Sequence, residues 1–278
     1  MSKAAFTGRL VGVSTVALCA FACAPIANPT SAYSLRLAKG ADAIELDSRD
    51  AFAVHVRNVA ARVGVQHPER LSVRVGEETA GASLGANALI ARRGACMVLP
   101  AELYDAFHAT PAEREMFDLP CKDEINFVLA HESAHIAKNH AVVSGLALPT
   151  SMVAICFAAH KIPNKVLAAA LGCAALVGGN TLLSWRIEHE ADHVAAEHGY
   201  ASGGINCFER RLFHNCELRA LRHSNLITET GNYLGDTAHP LLTWRISHLK
   251  LLVDEAANVA SDNNAFQTSS GCAYCLKV

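Results

Sequence analysis

The chain has no run of like charge: its 24 basic and 26 acidic side chains are interspersed and nearly cancel. A patch able to neutralise nucleic-acid phosphates is therefore missing, which sets that class of partner aside. Internal repeats and low-complexity tracts are also missing, so no second domain is needed. Charge is absent most conspicuously from two stretches, residues 141–159 and 166–185, which contain no Asp, Glu, Lys or Arg. Each is about one bilayer span long.

What is present suits a globular fold. At 278 residues, 51% of them hydrophobic, the chain can bury a substantial core. Residues 1–32 read as a secretory signal or an N-terminal anchor. Lys3 and Arg9 form a basic region before the apolar stretch Leu10 to Ala24. Thr30-Ser31-Ala32 suits signal peptidase, whereas Ala20-Phe21-Ala22-Cys23 is a poor lipidation site, so cleavage, lipidation and retention all stay open.

Of ten cysteines, Cys19 and Cys23 fall in this leader, and Cys156 and Cys173 in the apolar runs. The other six are an even set that suits disulfides in an oxidising compartment: Cys207/Cys216 and Cys272/Cys275 as local pairs, Cys96/Cys121 left over. The Cys272/Cys275 CxxC has no second CxxC to make a metal site with, which favours a structural reading.

The expected architecture is α+β and mainly helical. Apolar spacing from Asp42 to Val65 predicts an amphipathic helix. Short runs at Leu71 to Val75, Ser83 to Ala91 and Cys96 to Leu99 predict a small antiparallel sheet. Helices are expected from Ala101 to Phe107, Lys122 to His140, Gly204 to Arg222 and Pro240 to Ala257, with a polar tail beyond. The uncharged stretches form an apolar helical hairpin over residues 141–185. Two readings of it fit: a pair of membrane spans, or a buried or interfacial hairpin. Spans would place Lys161 and Lys165 at a cytoplasmic turn, on the side of the basic N-terminal region, as the positive-inside tendency requires.

His131-Glu132-Ser133-Ala134-His135 carries the chemistry. On a helix, histidines four apart lie on one face, so both imidazoles can reach one Zn²⁺ while Glu132 projects toward the water that the ion activates. A third ligand is needed. The extended pattern HExxHxxGxxH fails, because Lys138 and Ala141 stand at its glycine and third histidine, so the ligand must come from a second helix. Glu188-His189-Glu190-Ala191-Asp192 offers it: Glu188 can ligate, and Asp192, one turn on, can accept the other N–H of a ligand histidine. Glu190 could replace Glu188 only by leaving Asp192 on the wrong side. His239, before Pro240, could donate to an oxyanion or cap the open metal position. Arg245 could pair with a site carboxylate or with substrate. A loop histidine and a solvated arginine are the plainer readings of those two residues.

Asn87-Ala88-Leu89, HESAHIAKNH from His131, EHEAD from Glu188 and AHPLLTWRI from Ala238 stand in an order and spacing that resemble a zinc metallopeptidase family. It is family forty-eight, which holds the HtpX heat-shock protease, the CAAX prenyl protease, a mitochondrial inner-membrane stress protease and the periplasmic BepA/LoiP-type proteases. The resemblance runs from about residue 42 to 257, the expected peptidase domain, with residues 258–278 as its tail. It implies a gluzincin fold, one Zn²⁺ on His131, His135 and Glu188, Glu132 as base, Asp192 behind the ligands, and His239 and Arg245 near the substrate. It also implies that the strand at Asn87, Ala88 and Leu89 is the edge on which a polypeptide substrate lies. HtpX-like members carry two spans before the catalytic helix, whereas this chain has one apolar N-terminal segment and many cysteines. An extracytoplasmic, membrane-associated endopeptidase of protein quality control is expected, or alternatively a latent zinc-binding chaperone or adaptor on the same fold.

Overall fold

A computed structural model describes residues 23–270, without the side chains at 156, 157, 159, 160 and 259–270. The leader up to Ala22 and the CxxC lie outside the described residues. In chain order come α1 (Ala32–Leu37), β1 (Ile44–Glu45), α2 (Ala51–Val63), β2 (Leu71–Gly76), β3 (Ala82–Gly85), α3 (Asn87–Arg93), β4 (Ala95–Pro100), α4 (Ala101–His108), α5 (Pro111–Met116) and α6 (Lys122–Ala137). Then follow α7 (His140–Lys161), α8 (Lys165–Glu197), α9 (Ala201–Arg222) and α10 (Leu242–Ser270).

The first expected helix is shorter than its apolar periodicity. Asp50 caps α2 by accepting the N–H groups of Phe52 and Ala53, and the residues before it pair as β1. The sheet is mixed rather than antiparallel. Its order is β1-β2-β4-β3, with β2 and β4 parallel and each outer strand antiparallel to its neighbour. The crossover through β3 and α3 puts β4 inside, where every residue but its last is buried. Side chains alternate across it. Met97 and Leu99 join the main core with Phe52, Val56, Phe127 and Leu129, while Cys96 and Val98 face Leu35 of α1 and Ala43.

The run Ser83 to Ala91 is not one strand. Pairing stops at Gly85, and Asn87, Ala88 and Leu89 open helix α3, so they offer no strand edge to a substrate. Asn87 is engaged locally instead: its side chain accepts from the Gln66 N–H and donates to the Gly64 carbonyl.

Helix α6 ends before the expected His140, because Asn139 adopts a left-handed conformation, and α7 starts at that histidine. Two helices with an apolar start follow, and α8 is continuous from the hairpin turn through the ExxxD residues. One 33-residue helix thus carries both the apolar arm and the acidic motif. Among the described residues it alone is long and apolar enough to cross a membrane; the apolar part of α7, His140–Ile155, is shorter. Val166, Leu167, Leu171, Val177 and Leu182 of α8 are exposed.

Helix α9 crosses α6 at Gly203 and Gly204. A Cβ at Gly203 would overlap the Asp123 carbonyl and one at Gly204 the Phe127 ring, so only glycine permits this approach. The expected pairs Cys207/Cys216 and Cys96/Cys121 are not formed, and no disulfide exists among the described residues. Cys207 and Cys216 lie nine residues apart on one helix, about 13 Å at 1.5 Å per residue, where a bridge needs less than about 7 Å between Cα atoms. Cys96 is buried in β4 while Cys121 is exposed at the start of α6.

Candidate active site

Helix α6 is anchored through its N-terminal turn. Glu124 accepts the Cys121 N–H and the guanidinium of Arg210 from α9. Packing of Ile125, Phe127, Leu129 and Ile136 then leaves His131, Glu132 and His135 on the face toward α8 and β3. His131 and Glu132 are each 8% exposed.

Three donor atoms converge between α6 and α8. His131 Nε2 and His135 Nε2 lie 3.1 Å apart, Glu188 Oε2 is 3.4 Å from the first and Glu188 Oε1 3.5 Å from the second. Tetrahedral ligands at 2.0–2.1 Å from a zinc ion would be roughly 3.4 Å from one another. Glu188 Oε2 is buried without a hydrogen-bond partner. Two ring nitrogens and an unsatisfied carboxylate oxygen facing one point form a donor set that a divalent cation fits, so His131, His135 and Glu188 could hold a metal ion.

Each donor is held from behind. The Nδ1 of His131 is 2.9 Å from Asp192 Oδ1, and Asp192 is fully buried. Arg245 grips that aspartate twice, Nε to Oδ2 at 2.7 Å and Nη2 to Oδ1 at 2.6 Å. Its Nη1 stands 3.3 Å from Glu188 Oε2, and the guanidinium lies 4.2 Å over the Phe208 ring. Arg245 is therefore neither solvated nor free for substrate; it is buried and paired with both carboxylates of the ExxxD motif. His135 Nδ1 meets His140 Nδ1 at 3.0 Å, and His140 Nε2 lies 3.7 Å from Glu190.

Glu132 is met from the sheet: Ser83 Oγ of β3 lies 2.6 Å from its Oε2 and 2.7 Å from its backbone carbonyl. On the opposite side His239, half exposed, points Nε2 toward Glu188 Oε2 at 3.8 Å. Asp236 orients that ring by a 2.8 Å contact to Nδ1 and accepts the Ala238 and His239 N–H groups. Ser184 and Trp185 hold the same loop by donating to the Ala238 and Thr237 carbonyls.

Charge follows this layout. Burial opposes protonation of His131, but its hydrogen bond to Asp192 and the close negative charge of Glu188 outweigh that and raise its pKa to about 10. Burial, reinforced by the positive His131, lowers His135 to about 3. Burial also pushes the Glu132 carboxyl up, partly offset by His131 and the Ser83 hydroxyl.

His131 and Glu188 open onto a cavity of about 750 Å³, lined also by Phe127, Phe208, Arg210, Arg211, Glu77 and Glu78. Ser83, Asp236 and His140 were not singled out from the sequence, and Glu190 was weighed only as an alternative ligand to Glu188. Helical spacing did not mark Glu190 or His140: Glu190 is two residues past Glu188, and the left-handed turn at Asn139 separates His140 from the helix of His135. No local signal marks Ser83 or Asp236.

Comparison with known proteins agrees with the arrangement of motifs. The family model described as Peptidase family M48 matches residues 52–253. No curated protein matches. Among solved structures, the crystal structure of S. mikatae Ste24p is similar at 17% identity and a TM-score of 0.45, covering 86% of this chain and 56% of that one. This chain thus corresponds to little more than half the length of that protein. With nearly three-quarters of its length matched by the family model, this chain belongs to peptidase family M48, a family of metallopeptidases.

Proposed function

We propose that the protein is a zinc-dependent metalloendopeptidase in which His131, His135 and Glu188 hold one Zn²⁺ and Glu132 is the general base. The convergence of three donor atoms with a carboxylate beside them carries this reading. When bound, the ion would polarise the scissile carbonyl and lower the pKa of a coordinated water to about 7. Glu132 takes the proton of the attacking water and returns it to the leaving amine. His239, oriented by Asp236, donates to the oxygen that becomes negative as the carbonyl is attacked. Asp192 and Arg245 fix His131 and Glu188 and do not touch the substrate.

The substrate polypeptide lies along β3, whose outer edge has no neighbouring strand among the described residues, so its N–H and C=O groups on that side can accept an added strand. That edge, rather than Asn87 to Leu89, takes the role that the sequence resemblance assigned. The exposed apolar residues of α8 and its span-length composition support membrane attachment. Trp185 and Trp244 pair edge to face, centroids 5.6 Å apart, where the apolar arm gives way to the site, a position typical of the bilayer interface. Active-site residues then sit just outside the membrane, within reach of membrane-associated or unfolded proteins. An extracytoplasmic site rests on the leader sequence and on Lys161 and Lys165 at the hairpin turn, and envelope quality control is the role that suits it.

The experiment is zinc content together with cleavage of unfolded casein, for the parent and Glu132→Gln. One zinc in each, with cleavage by the parent alone, is expected. Zinc in both and cleavage by neither would replace this reading with that of a latent adaptor. Absence of zinc from both would remove the ligand assignment.

A further inference from the structure

We infer that Ser83 is a positioning residue for Glu132, coupling the strand that receives the peptide to the base that acts on it; this rests on the peptidase reading above. Ser83 lies in the middle of β3, paired with Met97 on its inner side. Its Oγ has one proton and meets two oxygens of the same residue, the Glu132 carbonyl at 2.7 Å and Oε2 at 2.6 Å. The carbonyl already accepts from the helix, and 2.6 Å is the length of a hydroxyl donating to an ionised carboxylate. The hydroxyl therefore restrains Oε2.

The other carboxylate oxygen is bounded by the same segment. Two residues earlier, just before β3, Gly81 has φ +104°, and a Cβ there would stand 3.1 Å from Glu132 Oε1. The carboxylate of the base is thus held between Gly81 and Ser83. Any side chain at 81 would crowd it, and loss of the hydroxyl at 83 would release it. Glu132 has no other side-chain hydrogen bond among the described residues, so Ser83 is the polar group that orients its carboxylate. A peptide adding to the outer edge of β3 stiffens the strand that orients the base. Geometry of substrate and base is then set by one element rather than two.

The test compares Ser83→Ala with Ser83→Thr, which keeps a hydroxyl on the strand. Expected for Ser83→Ala is a fall in kcat of about 10- to 100-fold, the usual scale for outer partners of catalytic groups. KM, zinc content and melting temperature should stay near the parent values, and Ser83→Thr should recover most of the loss. A merely structural tie between β3 and α6 would instead lower stability or zinc content and raise KM. An unchanged kcat in Ser83→Ala, or no rescue by threonine, overturns the inference. If the parent cleaves nothing, the peptidase reading fails by itself. Affinity for a peptide hydroxamate, whose zinc-chelating group must bond to Glu132, still reads the carboxylate's position without turnover. Ser83→Ala should then bind it about 10-fold more weakly and Ser83→Thr normally, and equal affinity in all three overturns the inference.

Discussion

Arg245 holds Asp192 through two hydrogen bonds of 2.6 and 2.7 Å, and Asp192 in turn holds the ring of His131. The chain of contacts runs from α10 through α8 to α6, so three elements distant in sequence fix one candidate ligand. Replacing Arg245 by Met leaves Asp192 buried without its counter-charge, which costs about 3–5 kcal/mol. Chemical denaturation should show that loss. Asp192→Asn keeps the shape and removes the charge, and zinc affinity should fall about 10- to 100-fold in a chelator competition. Equal affinity would mean that His131 is oriented by something else.

The crossing of α9 over α6 makes a second prediction. Gly203→Ala forces the Asp123 carbonyl away and should destabilise the protein by about 1–3 kcal/mol or more. Gly178→Ala, on α8 with nothing within 4 Å of the new methyl, is the control and should not destabilise it. A similar change in both would show that the close approach at Gly203 does not govern stability.

Thiol labelling reads how the hairpin is attached. Cys121 and Cys173 are both exposed, the first at the start of α6 and the second on the apolar arm of α8. In vesicles, a membrane-impermeant maleimide should modify Cys121 while Cys173 reacts only after detergent is added. Equal labelling of the two in vesicles would rule out burial of the arm in lipid.

Cys207 should respond to pH. Burial, helped by the charge of Glu124, pushes its thiol up to about 11. A raised thiol pKa leaves less thiolate at any given pH, so at pH 8 only about one molecule in a thousand is reactive. Alkylation followed by peptide mass mapping should show the rate at Cys207 rising about tenfold per pH unit from 8 to 10. Because Cys207 lines the active-site cavity, its alkylation should also inactivate the enzyme. A rate already at its plateau at pH 8 contradicts this.

Much of the site could be read from spacing because helices are local. Four-residue separations put His131 with His135, and Glu188 with Asp192, on single faces whatever the rest of the chain does. Arg245 was visible as a candidate partner for a carboxylate, although the sequence left substrate as an alternative. Asn87 to Leu89 was misread as strand because a short apolar run does not distinguish strand from helix; the ladder of β3 ends at Gly85 and the next residues cap and pack as α3. The disulfide pairs were misread for a related reason. An even cysteine count says nothing of distance, and Cys207 and Cys216 are held apart by the helix that carries both.

The sequence by itself determined the candidate metal ligands and their helices and the apolar hairpin ahead of the acidic motif, since each depends on residues within a few turns of one another, and the order of its motifs pointed to the family. Only the tertiary structure decided that β4 lies inside a mixed sheet, that Ser83 touches Glu132, that Asp236 turns His239 and that Arg245 is buried against Asp192. Those contacts span from 3 to 53 residues. The long ones arise from packing of the whole core, and the short one from a loop whose path Ser184 and Trp185 set from another helix.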